Sequence, residues 1–262
     1  MNVIIFSKDR AMQLDLLLRS MPDGWKPKIY FKASTQEYFD GYEKLFSLKR
    51  PMNVVMEAVS FKGDMFDMDI ISKTDPLTMF LTDDDVFINP LPELDGIEII
   101  LRTNPEIVCV SLRLHPEMDY CYTLNRKQKR PKIAGYFAID AQCWDWRTAD
   151  ADYGYPMSLD GHIFRTADIL PLLKRLEYSN PNELEGQLAR HPINRPYMMC
   201  FDKSIIVNDP VNRVQDTVPN RHGNVSAEYL NDLWLQGKRI RLEPFLGVKN
   251  NACHMELPIE FE

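Results

Sequence analysis

The chain has 262 residues, and its 38 Asp and Glu outnumber its 31 Lys and Arg, which gives a formal net charge of −7. A sequence of this length can bury a large hydrophobic core, so it does not need disulfides for stability. The acidic balance disfavours a nucleic-acid-binding protein, which usually carries a basic face. Five cysteines without a CxxC pair indicate free thiols in a reducing compartment.

The sequence also disfavours a membrane-spanning or secreted protein. No segment approaches the run of about 18 apolar residues that a membrane span requires. The first residues lack the basic start of a signal peptide, and a charged stretch follows them at once. We therefore expect a cytoplasmic protein without a transmembrane segment, with peripheral association at a membrane left open.

Short apolar runs alternate with amphipathic stretches through the first half of the chain. The predicted strands lie at residues 3–6, 28–32, 52–59, 77–82 and 107–112. Four helices are predicted. The first begins after residue 10, the second begins at a capping box formed by Ser34 and Glu37, and the other two lie at 61–74 and 94–101. This alternation is typical of βαβ units, so we predict an α/β fold with a mainly parallel sheet.

The second half is less regular, and it contains no linker that would mark a domain boundary. Asn180, followed by Pro181 and Glu183, predicts the start of a helix, and Ser226 predicts a second helix cap. We therefore predict one domain with two lobes.

Three consecutive carboxylates, Asp83, Asp84 and Asp85, follow the fourth predicted strand directly. Ligands of open α/β sheets bind beyond the carboxyl ends of the strands, where this triplet would lie. Asp83 and Asp85 are two residues apart, so an extended backbone would point both side chains to the same side. Such a pair suits Mn²⁺ or Mg²⁺, which in turn binds phosphate oxygens. The alternative is a solvated turn, where Asp is common.

The triplet resembles the DxD motif of GT-A fold glycosyltransferases, which follows a central strand and holds the metal and the nucleotide-sugar. Three further segments are similar to bacterial and viral sugar transferases of this group: IFSKDRAMQL at 5–14, YPMSLDGHIFRT at 155–166 and NPNELEG at 180–186. The resemblance implies a GT-A-like single domain with a Rossmann-like sheet and helices on both faces. It also implies a nucleotide-sugar-binding lobe at 1–115 and an acceptor-binding lobe at 116–262.

The same resemblance implies roles for the triplet and for the first strand. Asp85 would contact the metal directly, with Asp83 as a second metal ligand, and Asp83 and Asp84 would touch the ribose or a metal-bound water. The first strand and its loop would line the nucleotide, which makes candidates of Phe6, Ser7, Lys8, Asp9 and Arg10. Lys8 and Arg10 suit a diphosphate, although both could equally be ordinary surface charges.

Two later residues complete the candidate site. The resemblance implies that Asp160 is the general base that deprotonates the acceptor hydroxyl in an inverting enzyme. The alternative is an Asp-Gly turn, and Glu183 and Glu185 are weaker rivals for the base. The resemblance also implies that His254 completes the metal shell, since neutral imidazole is a reasonable Mn²⁺ ligand. Otherwise His254 is a surface residue.

Two other segments allow more than one interpretation. Trp144, Trp146, Tyr153 and Tyr155 lie among acidic residues, so they form either an acceptor platform for sugar rings or the core of the second lobe. The basic segment at 126–132 is a lid over the diphosphate, a contact for an anionic acceptor or, most simply, a solvated loop.

The leading hypothesis is a metal-dependent glycosyltransferase. It would use Mn²⁺ or Mg²⁺ and move a sugar from a UDP- or GDP-sugar to a hydroxyl of a glycan or lipid-linked saccharide. One alternative is a Mg-dependent nucleotidyl or phosphoryl transferase, although no glycine-rich phosphate loop is present. The other is a non-catalytic carbohydrate-binding module on the same fold, because fold does not determine function.

Overall fold

The computed structural model describes residues 1–48, 53–58, 60–67, 71–215 and 221–262 of the chain. Within these residues the helices are α1 (Ala11–Ser20), α2 (Gln36–Leu48), α3 (Phe61–Asp67), α4 (Leu94–Thr103), α5 (Thr166–Arg175), α6 (Pro181–Arg190) and α7 (Ala227–Leu235). The strands are β1 (Asn2–Lys8), β2 (Lys28–Lys32), β3 (Asn53–Met56), β4 (Leu77–Thr82), β5 (Asp85–Phe87), β6 (Ile107–Ser111), β7 (Tyr120–Cys121), β8 (Arg126–Lys127), β9 (Ile133–Phe137), β10 (Ala141–Asp145), β11 (His162–Arg165), β12 (Tyr197–Phe201) and β13 (Ile206–Asn208).

Nine of these strands form one mixed sheet in the order β3-β2-β1-β4-β11-β6-β12-β10-β9. The pairs from β3 to β4 are parallel, and only β11 and β10 run against the direction of the other strands in this sheet. In the register, Ile5 of β1 lies between Ile29 of β2 and Leu81 of β4. This architecture confirms the predicted α/β class with a mainly parallel sheet.

Helices cover both faces of the sheet, as the alternating side chains of β1 show. Val3 and Ile5 are buried in one core cluster with side chains of α1, α2, α4 and α7. Ile4 and Phe6 are buried in a second cluster with side chains of α3, α5 and α6. Successive residues of a strand point to opposite faces, so an uninterrupted apolar run is what a strand buried on both sides requires.

The second half of the chain contributes to the same sheet. Strand β11 lies between β4 and β6, at the centre of the sheet, although it comes after residue 116. The predicted boundary between residues 115 and 116 therefore does not coincide with an edge of the sheet. The basic segment at 126–132 is largely exposed and begins with β8, which pairs with β7; Arg126 forms an ion pair with Asp150. Of its three interpretations, the solvated loop fits this arrangement.

Several predicted elements are confirmed and others need correction. Asn180 accepts a hydrogen bond from the backbone N–H of Glu183 at the start of α6, and Ser226 caps α7 in the same way. The predicted helix at 61–74 ends at residue 67 where it is described, residues 68–70 lie outside the described residues, and 71–74 form a turn. Residues 52 and 59 of the third predicted strand also lie outside the described residues.

The predicted capping box at α2 is wrong. Thr35, not Ser34, accepts a hydrogen bond from the backbone N–H of Tyr38. Ser34 instead donates to Asp9 through both its backbone N–H and its hydroxyl, at 2.7 Å each. The Ser34 side chain therefore bonds to the loop after β1 and does not form the cap of α2 that the local pattern predicted.

The aromatic segment divides between the core and the surface. Trp144 and Tyr153 are fully buried, and the Trp144 indole donates to the backbone carbonyl of Tyr153. Trp146 and Tyr155 are half-buried. The core interpretation therefore holds for Trp144 and Tyr153.

All five cysteines are buried as free thiols. Within the described residues no helix combines the length and the apolar character needed to cross a bilayer.

Candidate functional site

The candidate site forms where several strand ends meet at one edge of the sheet. β1, β4 and β6 run in the same direction, so the residues that follow them lie at this edge. β11 runs against them, so the residue before its start lies there too. Arg10, the acidic triplet, Arg113 and Asp160 are brought together in this way. The expectation that the triplet lies beyond the carboxyl end of a central strand is confirmed.

The acidic triplet forms a tight turn, so the prediction that Asp83 and Asp85 share one side of an extended strand is wrong. Asp83 and Asp84 form the turn, and Asp85 begins β5. Arg10 Nη1 lies 2.8 Å from Asp83 Oδ1 and 2.9 Å from Asp84 Oδ2. Asp83 Oδ2 also accepts from the backbone N–H of Lys8 at 3.0 Å. The neighbours Asp83 and Asp84 therefore share one buried guanidinium.

Asp85 faces a different set of partners. One of its oxygens accepts from the backbone N–H of Thr82 at 3.0 Å. The carboxamide nitrogen of Asn208 lies 2.9 Å from Asp84 Oδ1 and 3.3 Å from Asp85 Oδ1. The backbone of Asn208 also bonds to both neighbours of His254, which brings that histidine beside the turn. Asn208 thus connects the acidic triplet to the segment that carries His254.

Asp160 lies at the centre of the third group of contacts. Its carboxylate accepts from the Thr82 hydroxyl at 3.0 Å and from Arg113 at 3.1 Å. His254 Nε2 lies 3.5 Å from the same carboxylate. The side chains of Asp160 and His254 are 15% and 19% exposed, so both remain reachable from solvent, whereas Arg113 is buried at 3%. The structure therefore brings the predicted base and the predicted late histidine into one cluster.

The pKa values of two carboxylates in this cluster, Asp160 and Asp85, shift in opposite directions. Burial opposes ionisation of Asp160, but hydrogen bonding to His254 and the charge of Arg113 lower its pKa below the ordinary value. Burial likewise opposes protonation of His254, yet Cys253 and Asp160 raise its pKa well above the usual value. Burial raises the pKa of Asp85 well above normal, and the charges of Asp160 and Asp84 add to this. The positive charges near Asp85 therefore do not offset the cost of ionising its carboxyl group.

The predicted metal ligands Asp83, Asp85 and His254 are not gathered into a ready-made site. Within the described ranges, no three Asp, Glu, His or Cys side chains converge as metal ligands would. Asp83 does not fit, because it already forms a buried ion pair with the Arg10 guanidinium. Asp85 fits better, since burial and the charges of Asp160 and Asp84 raise its pKa and a cation beside it would favour its charged form. His254 would fit only as a neutral imidazole that gives up its contact with Asp160.

The residues after β1 are also largely engaged within the protein. Phe6 is buried against other aromatic rings, and the Ser7 hydroxyl hydrogen-bonds with the Tyr42 hydroxyl at 2.6 Å. Lys8 Nζ donates to the backbone carbonyl of Val214 at 2.7 Å. Asp9 has a positive φ of 58° and holds Ser34. The predicted nucleotide-lining role of these residues stays a prediction.

Three side chains that hold the site together were not predicted from the sequence. Asn208 and Asn212 contact the acidic triplet and Arg10, with Arg10 Nε donating to Asn212 Oδ1 at 2.8 Å. Neither asparagine carries a recognisable pattern. Arg113 follows the end of a predicted strand, as the triplet does, and that position was the signal available for it.

The two rivals for the catalytic base have structural contacts. Glu183 accepts from the backbone N–H and hydroxyl of Ser179, the residue before the N-cap Asn180, so its carboxylate is engaged at the start of α6. Glu185 accepts from the Ser158 hydroxyl at 2.8 Å and from the Leu159 backbone N–H at 3.0 Å. Glu185 therefore braces the loop that presents Asp160.

Gly161 should tolerate no side chain, because two independent constraints act there. Its φ is +65°, and a Cβ would overlap the Cδ1 atom of Ile206. We expect Gly161→Ala to lower the free energy of unfolding by about 1–3 kcal/mol and to displace Asp160. Gly186→Ala is the matched control, since Gly186 lies within α6 with open space around its Cβ position. Urea unfolding should show that Gly186→Ala raises the free energy of unfolding by about 0.5–1 kcal/mol. If the two substitutions change the free energy of unfolding equally, the constraints assigned to Gly161 are wrong.

Comparison with known proteins gives one similarity that spans most of the chain. It is 25% identical over 261 aligned residues to the bifunctional glycosyltransferase pgtA of Dictyostelium discoideum. The alignment covers 84% of this chain and 33% of the relative, so the chain spans about a third of that protein's length. No protein-family model matches the chain.

Two solved structures overlap with this chain at low scores. 4-Diphosphocytidyl-2C-methyl-D-erythritol synthase from Anaerococcus prevotii has a TM-score of 0.35 at 8% identity, over 90% of this chain and 98% of that one. UDP-glucose pyrophosphorylase, in complex with UDP-glucose, has a TM-score of 0.31 at 9% identity, over 77% of this chain and 90% of that one. At these scores neither likeness carries a conclusion about function.

Proposed function

We propose that this protein is a glycosyltransferase that moves a sugar from a nucleotide-diphosphate-sugar to a hydroxyl of a saccharide acceptor. The observation that carries the proposal is the convergence of Asp160, His254 and the acidic triplet at one edge of the α/β sheet. The similarity to a glycosyltransferase over most of the chain supports it. UDP- and GDP-sugars are the proposed donors, and a glycan or lipid-linked saccharide is the proposed acceptor.

In this proposal Asp160 receives the proton of the acceptor hydroxyl. The carboxylate is ionised at neutral pH, because hydrogen bonding to His254 and the charge of Arg113 outweigh the effect of burial. Thr82 and Arg113 restrain its rotation, so an incoming hydroxyl meets an oxygen in a defined position. The hydroxyl oxygen then attacks the anomeric carbon as its proton passes to Asp160. The bond from the anomeric carbon to the phosphate oxygen breaks, the nucleoside diphosphate leaves with the electron pair, and the sugar's configuration is inverted.

We further propose that Mn²⁺ or Mg²⁺ acts with the donor and that Asp85 holds it. His254 would join Asp85 only as a neutral imidazole, and Arg113 and Thr82 would then keep Asp160 ionised. Oxygen and imidazole donors suit Mn²⁺ in particular. When bound, such a cation supplies electrostatic stabilisation of the leaving diphosphate. Arg10 already forms ion pairs with Asp83 and Asp84, so in this proposal these two carboxylates line the donor site and do not bind the cation.

A thermal-shift panel tests the proposed function. We expect UDP- or GDP-sugars to raise the melting temperature only when Mn²⁺ or Mg²⁺ is present, and EDTA to remove the effect. Asp85→Asn should abolish the metal-dependent shift, because it removes a charge from the proposed cation site. Asp119→Asn is the control, since Asp119 is exposed and lies outside the cluster.

Three outcomes would contradict the proposal. If no nucleotide-sugar shifts the melting temperature, the proposal that the protein binds such a donor is wrong, and a non-catalytic module is favoured. Release of pyrophosphate from a nucleoside triphosphate would favour nucleotidyl transfer. A shift that persists in EDTA would leave donor binding intact and remove the cation from the proposal.

A further inference from the structure

A cavity of about 230 Å³ lies beside the candidate site and is distinct from it. Its walls are mainly apolar, and Asp209, Gly223, Asn224 and Glu256 complete them. The apolar and aromatic side chains are Val211, Val225, Tyr229, Leu257, Ile259 and Phe261. Its volume far exceeds the roughly 30 Å³ that one water molecule occupies in the liquid. It is smaller than the roughly 300 Å³ of the smallest common ligand pockets, so a single ring or short chain fits it and a saccharide chain does not.

One polar side chain in this cavity has an unsatisfied oxygen. Asp209 is only 3% exposed, and its Oδ1 accepts one long hydrogen bond, 3.3 Å, from the backbone N–H of Leu257. Asp209 Oδ2 is buried and has no hydrogen-bond partner among the described residues. A buried carboxylate oxygen without a donor costs free energy, so such oxygens are rare in folded proteins. This oxygen lacks the donor that a bound ligand could supply.

The charges around the cavity favour a cationic donor over a neutral one. Burial raises the pKa of Asp209 to about 7, and the negative charges of Asp84 and Glu256 add to this. Arg221 lies 3.8 Å from Glu256 and stacks on Tyr122, so the basic group at the rim is already engaged there and not at Asp209. A ligand ammonium would supply both a hydrogen bond and the missing positive charge.

We infer that this cavity is a binding site for a small amine whose apolar ring or chain fills the cavity and whose ammonium group pairs with Asp209. The pocket is open on one side, where Tyr229 is 52% exposed, so its apolar walls would cover part of the ring and this burial would provide the binding free energy. The carboxylate then selects ligands by their donor group, because an unmatched ligand leaves Asp209 Oδ2 unpaired. The backbone N–H of Asp209 donates to the Asp84 carbonyl at 2.8 Å, so an occupant would lie against the acidic turn. The inference does not depend on the proposed sugar transfer.

The test uses three ligands with the same ring and chain length: 2-phenylethylamine, 2-phenylethanol and ethylbenzene. Titrations are followed by NMR of the full chain labelled at the methyl groups of Val and Ile. We expect shifts at Val211, Val225 and Ile259, with the amine binding about tenfold more tightly than ethylbenzene and the alcohol between them. Asp209→Asn should reduce that preference to about twofold or less.

Asp202→Asn is the matched control, because Asp202 is an exposed carboxylate outside the cavity. It should leave the tenfold preference unchanged. The inference is overturned if no ligand shifts these methyl groups, if ethylbenzene binds as tightly as the amine, or if Asp209→Asn keeps the preference. Should Asp209→Asn fail to fold, Val225→Trp fills the cavity instead, and amine binding that survives it would equally overturn the inference.

Discussion

Asp160→Asn is expected to reduce sugar transfer by about 10²–10⁴-fold while leaving donor binding intact. Asparagine keeps the size of the side chain and an oxygen for the Thr82 hydroxyl, but it cannot take up a proton from the acceptor. The pKa of Asp160 lies below its ordinary value, so its own protonation should not lower the rate anywhere near neutral pH. Turnover and donor affinity, measured separately, distinguish loss of the base from loss of the pocket.

Glu185→Gln provides the control for this prediction. Glu185 is a half-buried carboxylate beside the loop that carries Asp160, and glutamine can still accept from Ser158 and Leu159. We expect transfer within a few-fold of the unmodified protein, about the loss from a perturbed neutral hydrogen bond. A larger loss in Glu185→Gln than in Asp160→Asn would assign the base to Glu185.

Arg10→Met is expected to have the largest effect on stability, about 3–5 kcal/mol at pH above 7. The substitution leaves Asp83 buried, with 4% of its side chain exposed, and removes the cation that it shares with Asp84. Burial raises the pKa of Asp83 to about 6 even with Arg10 in place. The folded state therefore binds this proton more readily than the unfolded state, so the loss should grow as pH rises through 6 and shrink below it.

Urea unfolding at two pH values, on either side of 6, measures this effect. Arg10→Met combined with Asp83→Asn should recover part of the lost stability, because the buried charge is then removed with its partner. Arg147→Met is the control, since Arg147 pairs with Asp145 at the surface and its removal should leave the unfolding midpoint unchanged. A pH-independent loss in Arg10→Met would contradict the assigned role.

Much of the fold could be predicted from the sequence because its signals are local. The apolar run at 77–82 and the helix start at Asn180 follow from periodicity and from capping chemistry, which neighbouring residues determine. Ser34 shows where local reasoning fails. Its pattern matched a capping box, but Asp9, brought close by the parallel pairing of β1 and β2, takes its hydroxyl. A hydrogen bond to a distant carboxylate outweighs a capping preference of about 1 kcal/mol.

By itself the sequence determined that three carboxylates follow a buried strand, and its resemblance to GT-A glycosyltransferases made Asp160 and His254 candidate site residues. Only the tertiary structure decided which groups these residues contact. Arg10 forms ion pairs with Asp83 and Asp84, Asn208 donates to Asp84 and Asp85, and His254 lies beside Asp160. The physical reason is that strand pairing and the reversal of β11 bring together residues more than 70 positions apart. Their spacing along the chain carries no information about which charge each carboxylate meets.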